Sequence, residues 1–299
     1  MPKHFVFYNP PIEHQRIISL LEKGNPPAAI LCATERNPPP LPEGGISVPP
    51  LIEDGDFDIP SVYMTDAEGR RLLPDEGTTV ALKSLSRRIP GKGHNVVARK
   101  GKNPCGRIVI TAHIDAKKGT PGATDNATGV VVLLLLAKLL ADDTGDRQIE
   151  IVALNGGEDH YAVPGQMLYM SKNKDRFQEI LFNINIDGGA GYKEGKSAFS
   201  FYGLPEEIEQ NAREVFRTYD GMTEGVQWPQ GDHSLFVQQG RPAIAISSQW
   251  VTENIASQEI THTPKDTPAI VDCRNVVEIA EALHQLVRKY GTDPTDCFT

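Results

Sequence analysis

Residues 107–115 read Arg107-Ile-Val-Ile-Thr-Ala-His113-Ile-Asp115, an apolar β-like run that ends in an imidazole and a carboxylate. Two further runs behave alike. Ile149-Glu-Ile-Val-Ala-Leu passes through Asn-Gly-Gly into Glu158-Asp159, and Leu181-Phe-Asn-Ile-Asn-Ile passes into Asp187. Working outward, helical periodicity is expected at 128–141, near 164–172, at 206–219 and at 275–290, with another strand at 243–247. Strands alternating with helices predict an α/β fold, a mixed, mostly parallel sheet sandwiched by helices. In open sheets of this kind ligands bind at the carboxyl ends of the strands. Three separate strands therefore deliver their acids and imidazole to one rim.

The chain before that alternation differs in composition. Residues 1–85 hold more than half of the 23 prolines. Short β-like runs at 5–8, 28–31, 61–64 and 79–82 are separated by Pro/Gly turns, and 15–23 has amphipathic helical spacing ended by Gly24. A small β-rich domain over 1–85 is expected, followed by a larger domain over 86–299.

Composition narrows the function. A net charge of −9 over 299 residues disfavours nucleic acid and anionic membranes, which are themselves negative. The longest greasy run, 130–140, carries Lys138 and is too short to span a bilayer, so it reads as a buried helix. No secretory leader is legible at the N-terminus, which makes the cytoplasm the expected compartment, with secretion the alternative if the start is truncated. Cys32, Cys105, Cys273 and Cys297 are too far apart for a thiolate metal site or a disulfide framework, and a Cys273–Cys297 bridge stays open.

The rim residues suggest a metal. Two imidazoles, His113 and His262, with several carboxylates and no thiolate suit zinc, or manganese or cobalt. A metal pair needs a bridging carboxylate and a base that is not itself a ligand. Glu158 and Asp159 are adjacent, so in an extended segment their side chains diverge, and one can hold metal while the other faces the water. Asp115 is placed to accept the second ring N–H of His113. Each feature alone has a plainer reading: Asp125 as a helix cap, Glu158–Asp159 as a solvated turn, His262 as a surface histidine. Five such features in one order at one rim do not.

In that order the chain resembles the co-catalytic zinc aminopeptidases of the bacterial leucyl aminopeptidase type (clan MH). These are related to glutamate carboxypeptidase, glutaminyl cyclase and the transferrin receptor. The resemblance runs from about residue 94 to 290, through Ile-Thr-Ala-His113-Ile-Asp115, Pro-Gly-Ala-Thr-Asp125-Asn-Ala-Thr-Gly, Gly-Glu158-Asp159, Asn-Ile-Asp187, Gly-Asp232-His233-Ser-Leu-Phe and Thr-His262-Thr-Pro-Lys-Asp266-Thr. It implies the zinc exopeptidase fold and two Zn2+ ions, one on His113 and Asp187, the other on Asp159 and His262, bridged by Asp125. Glu158 would be the general base, Asp115 the partner of His113, and Asp232 and His233 pocket-lining residues. The implied reaction is release of N-terminal residues from peptide substrates. Pro-Pro-Ala-Ala-Ile30-Leu, Phe-Asp-Ile-Pro60-Ser-Val-Tyr-Met and Gly69 resemble, more loosely, a protease-associated domain.

Two departures bear on these expectations. Asp159 stands where aminopeptidases commonly carry Glu, one methylene longer. Helices that usually precede such an insert are missing, which predicts an apolar strip that is bare, covered by residues 1–93, or covered in a homo-oligomer. The alternatives are a glutaminyl-cyclase-like enzyme and a catalytically silent binding module on the same fold.

Overall fold

The computed structural model describes residues 22–24, 26–34, 59–83, 85, 89–117, 119–158, 164–228, 231–254 and 258–291. They divide into two units, one on each side of residues 93 and 94 in the first part of the chain. In the smaller, strand β1 (Ile30–Thr34) pairs in parallel with β2 (Ser61–Thr65), Ile30 opposite Ser61, and helix α1 (Asp66–Leu72) follows β2 directly. The expected strand at 79–82 does not form. Residues 79–83 carry no regular structure and Val80 is 56% exposed, so β propensity there has no neighbouring strand to pack against. The expected strand at 5–8 and most of the expected helix at 15–23 lie outside the described residues.

The larger unit is built on a seven-stranded sheet. Its strands are β3 (Val96–Lys100), β4 (Asn103–His113), β5 (Arg147–Leu154), β6 (Ile180–Ile186), β7 (Ser197–Tyr202), β8 (Met222–Glu224) and β9 (Ala243–Ser248), in the order β3-β5-β4-β6-β9-β7-β8. The four central strands run parallel, with Ile110 opposite both Ile151 and Ile184, and Ile184 opposite Ile244. β3 is antiparallel to β5, and β7 is antiparallel to β9. The sheet is thus mixed and mostly parallel.

Period-two alternation assigns the two faces of β4. Ile108, Ile110 and Ala112 join Phe182, Ile184, Ile244 and Ile246 in one core, under helices α2 (Thr128–Leu139), α4 (Glu206–Phe216) and α7 (Cys273–Tyr290). In α7, Val276, Ile279, Ala280, Leu283, Leu286 and Val287 recur at helical spacing and are buried, and Asp272 caps the start by accepting the Arg274 N–H at 2.9 Å. Leu283 is fully buried, so Leu283→Ala removes about 2–5 kcal/mol. On the other face Val109, Val152 and Leu154 pack with Tyr169 of α3 (Pro164–Asn173) and with Leu235 and Phe236 of α5 (His233–Gln238). This face also buries Glu150, which is satisfied by the Tyr169 hydroxyl at 2.6 Å and Arg99 Nε at 2.5 Å, with Arg107 Nη1 at 3.4 Å. A short helix, α6 (Gln249–Glu253), follows β9.

The helical run Ala123–Asp142 is long and apolar enough to cross a membrane by length and composition, yet 56% of that apolar window is buried. Buried Thr124, Asp125 and Asn126 at its start, and α2 packed into the core, make it a core helix of this unit. The outer side of α2 does expose Val131, Leu134 and Leu139, and the edge strand β3 exposes Val96 and Val97. Cys273, at the first turn of α7, is a free thiol, and Cys297 lies outside the described residues.

Candidate metal centre

The register of the central strands brings the first two site residues together. Thr111 of β4 lies opposite Asn185 of β6, so two residues further on His113 and Asp187 emerge at the same rim on the same face. His113 Nε2 is 3.4 Å from Asp187 Oδ1. On the other side His113 is level with Leu154 at the end of β5, and the chain then turns back through Gly156 and Gly157 to Glu158. Gly157 is what lets this turn close. A Cβ there would lie 2.4 Å from His113 Cβ, so no larger residue fits without displacement.

Asp125 arrives from the segment Ala123–Ala127, whose backbone leaves helical geometry at Asp125 and Asn126 and includes a cis peptide between them. Asp125 is not a helix cap. That work falls to Asn126, whose Oδ1 accepts the Gly129 N–H at 3.2 Å while its Nδ2 donates to the Ile186 carbonyl at 2.8 Å. Asp266 holds the segment from the other side: Oδ1 accepts the Thr124 N–H at 2.7 Å and its hydroxyl at 2.9 Å, and Oδ2 accepts the Asp125 N–H at 3.1 Å. The Asp125 side chain is thereby free to face inward.

Its two oxygens part. Oδ1 lies 3.0 Å from His113 Nε2 and Oδ2 lies 3.1 Å from His262 Nε2. Glu158 completes the group, with Oε1 3.7 Å from His113 Nε2 and Oε2 3.0 Å from His262 Nε2. Ligand atoms of His113, Asp125 and Glu158 all fall within 4.8 Å of one another. His262 is the most open member and, among the described residues, the one non-glycine with positive φ, at 62°. A histidine is held in that region only where its surroundings demand it.

Asp115 faces His113 with two groups. Its backbone carbonyl, not its carboxylate, is the near partner of His113 Nδ1, at 2.9 Å against 3.7 Å. The carboxylate accepts the N–H groups of Gly157 at 2.9 Å and Glu158 at 3.0 Å, tying the strand-end turn to the His113 loop. Asp232 and His233 are both buried next to Asp187: a Cβ on Gly231 would lie 2.8 Å from Asp187 Oδ2 and 3.2 Å from His233 Nδ1. Asp232 accepts a bond from Gln166 Nε2, and its own N–H reaches the Asn185 side-chain oxygen at 3.2 Å when the Asn185 amide nitrogen donates to Thr111. The His233 ring packs against the Tyr202 ring, centroids 4.5 Å apart and planes tilted by 45°. Asp159 lies outside the described residues. Asn126 and Lys117 were not legible as site residues beforehand; Lys117 donates to the Glu158 carbonyl.

The protonation pattern is that of a site short of positive charge. Burial works against a charged His113, but Asp115, Asp125 and Asp187 hold its pKa well above the ordinary imidazole value. At the more open His262 desolvation by the site also opposes the charged form, yet Glu158 and Asp125 push its pKa up to about 10. Burial would raise Asp125, and the two histidines hold it well below the usual carboxylate range instead. Glu158 goes the other way: burial, then Asp125, push it up to about 7. Imidazoles forced to keep protons beside converging carboxylates mark a place where a bound cation would replace them. Two nitrogen donors and hard oxygens suit zinc.

A family model described as peptidase family M28 matches residues 95–287. This chain belongs to peptidase family M28. Among curated relatives, aminopeptidase YwaD of Bacillus subtilis is 24% identical over 152 residues, covering 49% of this chain and 32% of its own length. A vacuolar membrane protease of Yarrowia lipolytica is 28% identical over 173 residues, 53% of this chain and 17% of its own. The chain thus spans a third or less of the length of these relatives. In architecture it is similar to an aminopeptidase from Aneurinibacillus sp. strain AM-1, with TM-score 0.65, 20% identity, and 95% of this chain and 68% of that one covered. It is also similar to a zinc aminopeptidase of Bacillus subtilis, with TM-score 0.56, 19% identity, and 68% and 51% covered. At these identities the likeness is one of fold: the M28 sheet and its helices.

Proposed function

We propose that this M28 chain is a zinc-dependent aminopeptidase that holds two metal ions and removes N-terminal residues from peptides. One observation carries the pair: Asp125 offers one oxygen toward His113 and the other toward His262, as a bridging carboxylate must. His113 and Asp187 would hold the first ion, and His262 with Asp159 the second. Zinc, when bound, supplies Lewis acidity that polarises the scissile carbonyl and acidifies water. The chain's own residues handle the proton. Glu158, buried among these groups, accepts the proton of the attacking water at Oε1 or Oε2 and returns it to the leaving amine. Asp115 holds the backbone while it does so, accepting the Gly157 and Glu158 N–H groups. The protease-associated reading is supported in the smaller unit by two of the resembling stretches running into the paired strands β1 and β2.

A second reading has its own support. Because Glu158 converges with His113 and Asp125, it can instead be a ligand of a single ion. Elemental analysis of zinc-reconstituted protein, with turnover of an aminoacyl anilide and its N-acetylated twin, separates these. The proposal expects two zinc ions per chain, no turnover of the acetylated substrate, and a Glu158→Gln variant that keeps its zinc while losing ~10²–10⁴-fold in kcat. Zinc that never exceeds one per chain rejects the pair. Loss of zinc with Glu158→Gln makes Glu158 a ligand, and equal turnover of the acetylated twin removes the aminopeptidase assignment.

A further inference from the structure

Lys117 stands out in the loop between His113 and Asp125. Lysine side chains are ordinarily solvated, yet this one is 14% exposed. Its ammonium donates to the backbone carbonyl of Glu158 and lies 3.8 Å from Glu158 Oε2. Two residues earlier in the same loop, the Asp115 carboxylate accepts the N–H groups of Gly157 and Glu158. The loop after β4 therefore grips the turn after β5 at three backbone points, two N–H groups and one carbonyl, all at or next to Glu158. Fixing both peptide groups of a residue fixes the direction of its Cα–Cβ bond. The grip thus fixes the direction in which the Glu158 side chain leaves the backbone, and the adjacent ammonium faces its carboxylate at 3.8 Å.

We propose that Lys117 is a positioning residue for Glu158, clamping its carbonyl and steering its carboxylate with a charge 3.8 Å from Oε2. The inference rests on Glu158 being the group that handles the proton. Its physical content is separable from that, because it concerns the turn 156–158 whatever the chemistry performed there. A lysine whose only role is to fill space would be replaced by methionine, similar in length and flexibility, without consequence for the turn.

The test compares Lys117→Met and Lys117→Arg with the wild-type chain. In zinc-loaded protein, turnover of the aminoacyl anilide should show kcat lower by ~10–100-fold in Lys117→Met, the scale set by small misplacements of a reacting group. KM and zinc per chain should be unchanged, and arginine, which keeps both charge and donor, should recover part of kcat. In zinc-free protein, amide exchange followed by mass spectrometry should be faster at Gly157 and Glu158 in Lys117→Met than in wild type, and should be restored by arginine. Wild-type kcat in Lys117→Met, or equal loss of kcat and zinc, overturns the proposal. If the wild type has no zinc-dependent turnover, the aminopeptidase reading fails by itself and the exchange result decides Lys117: unchanged protection in the methionine variant refutes the clamp. A methionine variant that does not fold is replaced by Lys117→Gln under the same readouts.

Discussion

Gly157→Ala puts the metal-centre geometry to its most direct trial. The new methyl carbon would sit 2.4 Å from His113 Cβ and 2.8 Å from His113 Cγ. Two carbons rest at about 3.5–4.0 Å, so the turn and the histidine must separate by about 1 Å. Neither yields easily. His113 is 4% exposed at the end of a central strand, and the turn is tied by the Gly157 and Glu158 N–H groups to Asp115. Overpacking of this kind costs about 1–3 kcal/mol. In a unit of about 200 residues each kcal/mol lowers Tm by about 2–4 °C, so a drop of about 2–12 °C is expected. Activity should suffer more than stability, because Glu158 is the next residue and a displacement near 1 Å costs about 10²-fold in rate. Differential scanning calorimetry on zinc-free protein and turnover on zinc-loaded protein measure the two effects separately. A variant with wild-type Tm and wild-type kcat would mean that the turn does not close on His113, and the site as built would be wrong.

Other expectations follow from single contacts. Asp115→Asn presents an amide NH2 to one of two backbone donors at 2.9 and 3.0 Å, so it should cost about 1–3 kcal/mol in thermal unfolding and weaken turnover more than zinc affinity; a pure loss of zinc affinity would restore the carboxylate to His113. Asp266→Ala strips three donors of Thr124 and Asp125 of their acceptor, and should lower both Tm and zinc uptake, measured by calorimetry and by zinc titration; unaltered zinc uptake would show that Asp125 does not need that clamp. Zinc-free protein should lose stability as pH rises. The ionised form of Glu158 is disfavoured by folding, so stability falls as pH passes from its ordinary 4.5 through about 7. The protonated form of His262 is favoured by folding, so its contribution is intact below 6.5 and is lost as pH climbs through about 10. Asp125, held low, stays ionised throughout and adds no slope there. Tm measured from pH 5 to 10 should fall in the zinc-free protein, His262→Ala should flatten the upper part, and a rising Tm would contradict the charge balance described.

How far the chain could be read in advance depended on whether a feature was local. Buried parallel strands must be apolar throughout, which is why 107–112, 149–154 and 181–186 could be placed within a few residues of their observed ends and the α/β class followed. Their carboxyl ends could be expected to share a rim, and His113, Asp125, Glu158, Asp187 and His262 do converge. Edge and antiparallel strands were less legible. Val96–Lys100, Ser197–Tyr202 and Met222–Glu224 are short or half-polar, and their pairing partners lie far away in sequence.

Residue order alone determined the α/β architecture, the family, and the set of side chains delivered to one rim, because strand periodicity and motif order are written locally. Only the tertiary structure decided which groups those side chains touch. Asp115 lies two residues from His113, and short spacing suggested a ring partner. Folding also ties its carboxylate to Gly157 and Glu158, more than forty positions on, and brings its carbonyl nearer to the ring than the carboxylate. Asp125 looked able to cap α2, but Asn126 does so, while Asp266 draws the Thr124 and Asp125 N–H groups to itself from 142 and 141 positions away. Lys117 carried no signal at all: a lysine in a glycine-rich loop is indistinguishable from a solvated one until the turn after a different strand brings the Glu158 carbonyl to it. Hydrogen-bond partners are chosen by proximity in space, and proximity across strands is set by register and loop closure, which no short window of residues contains.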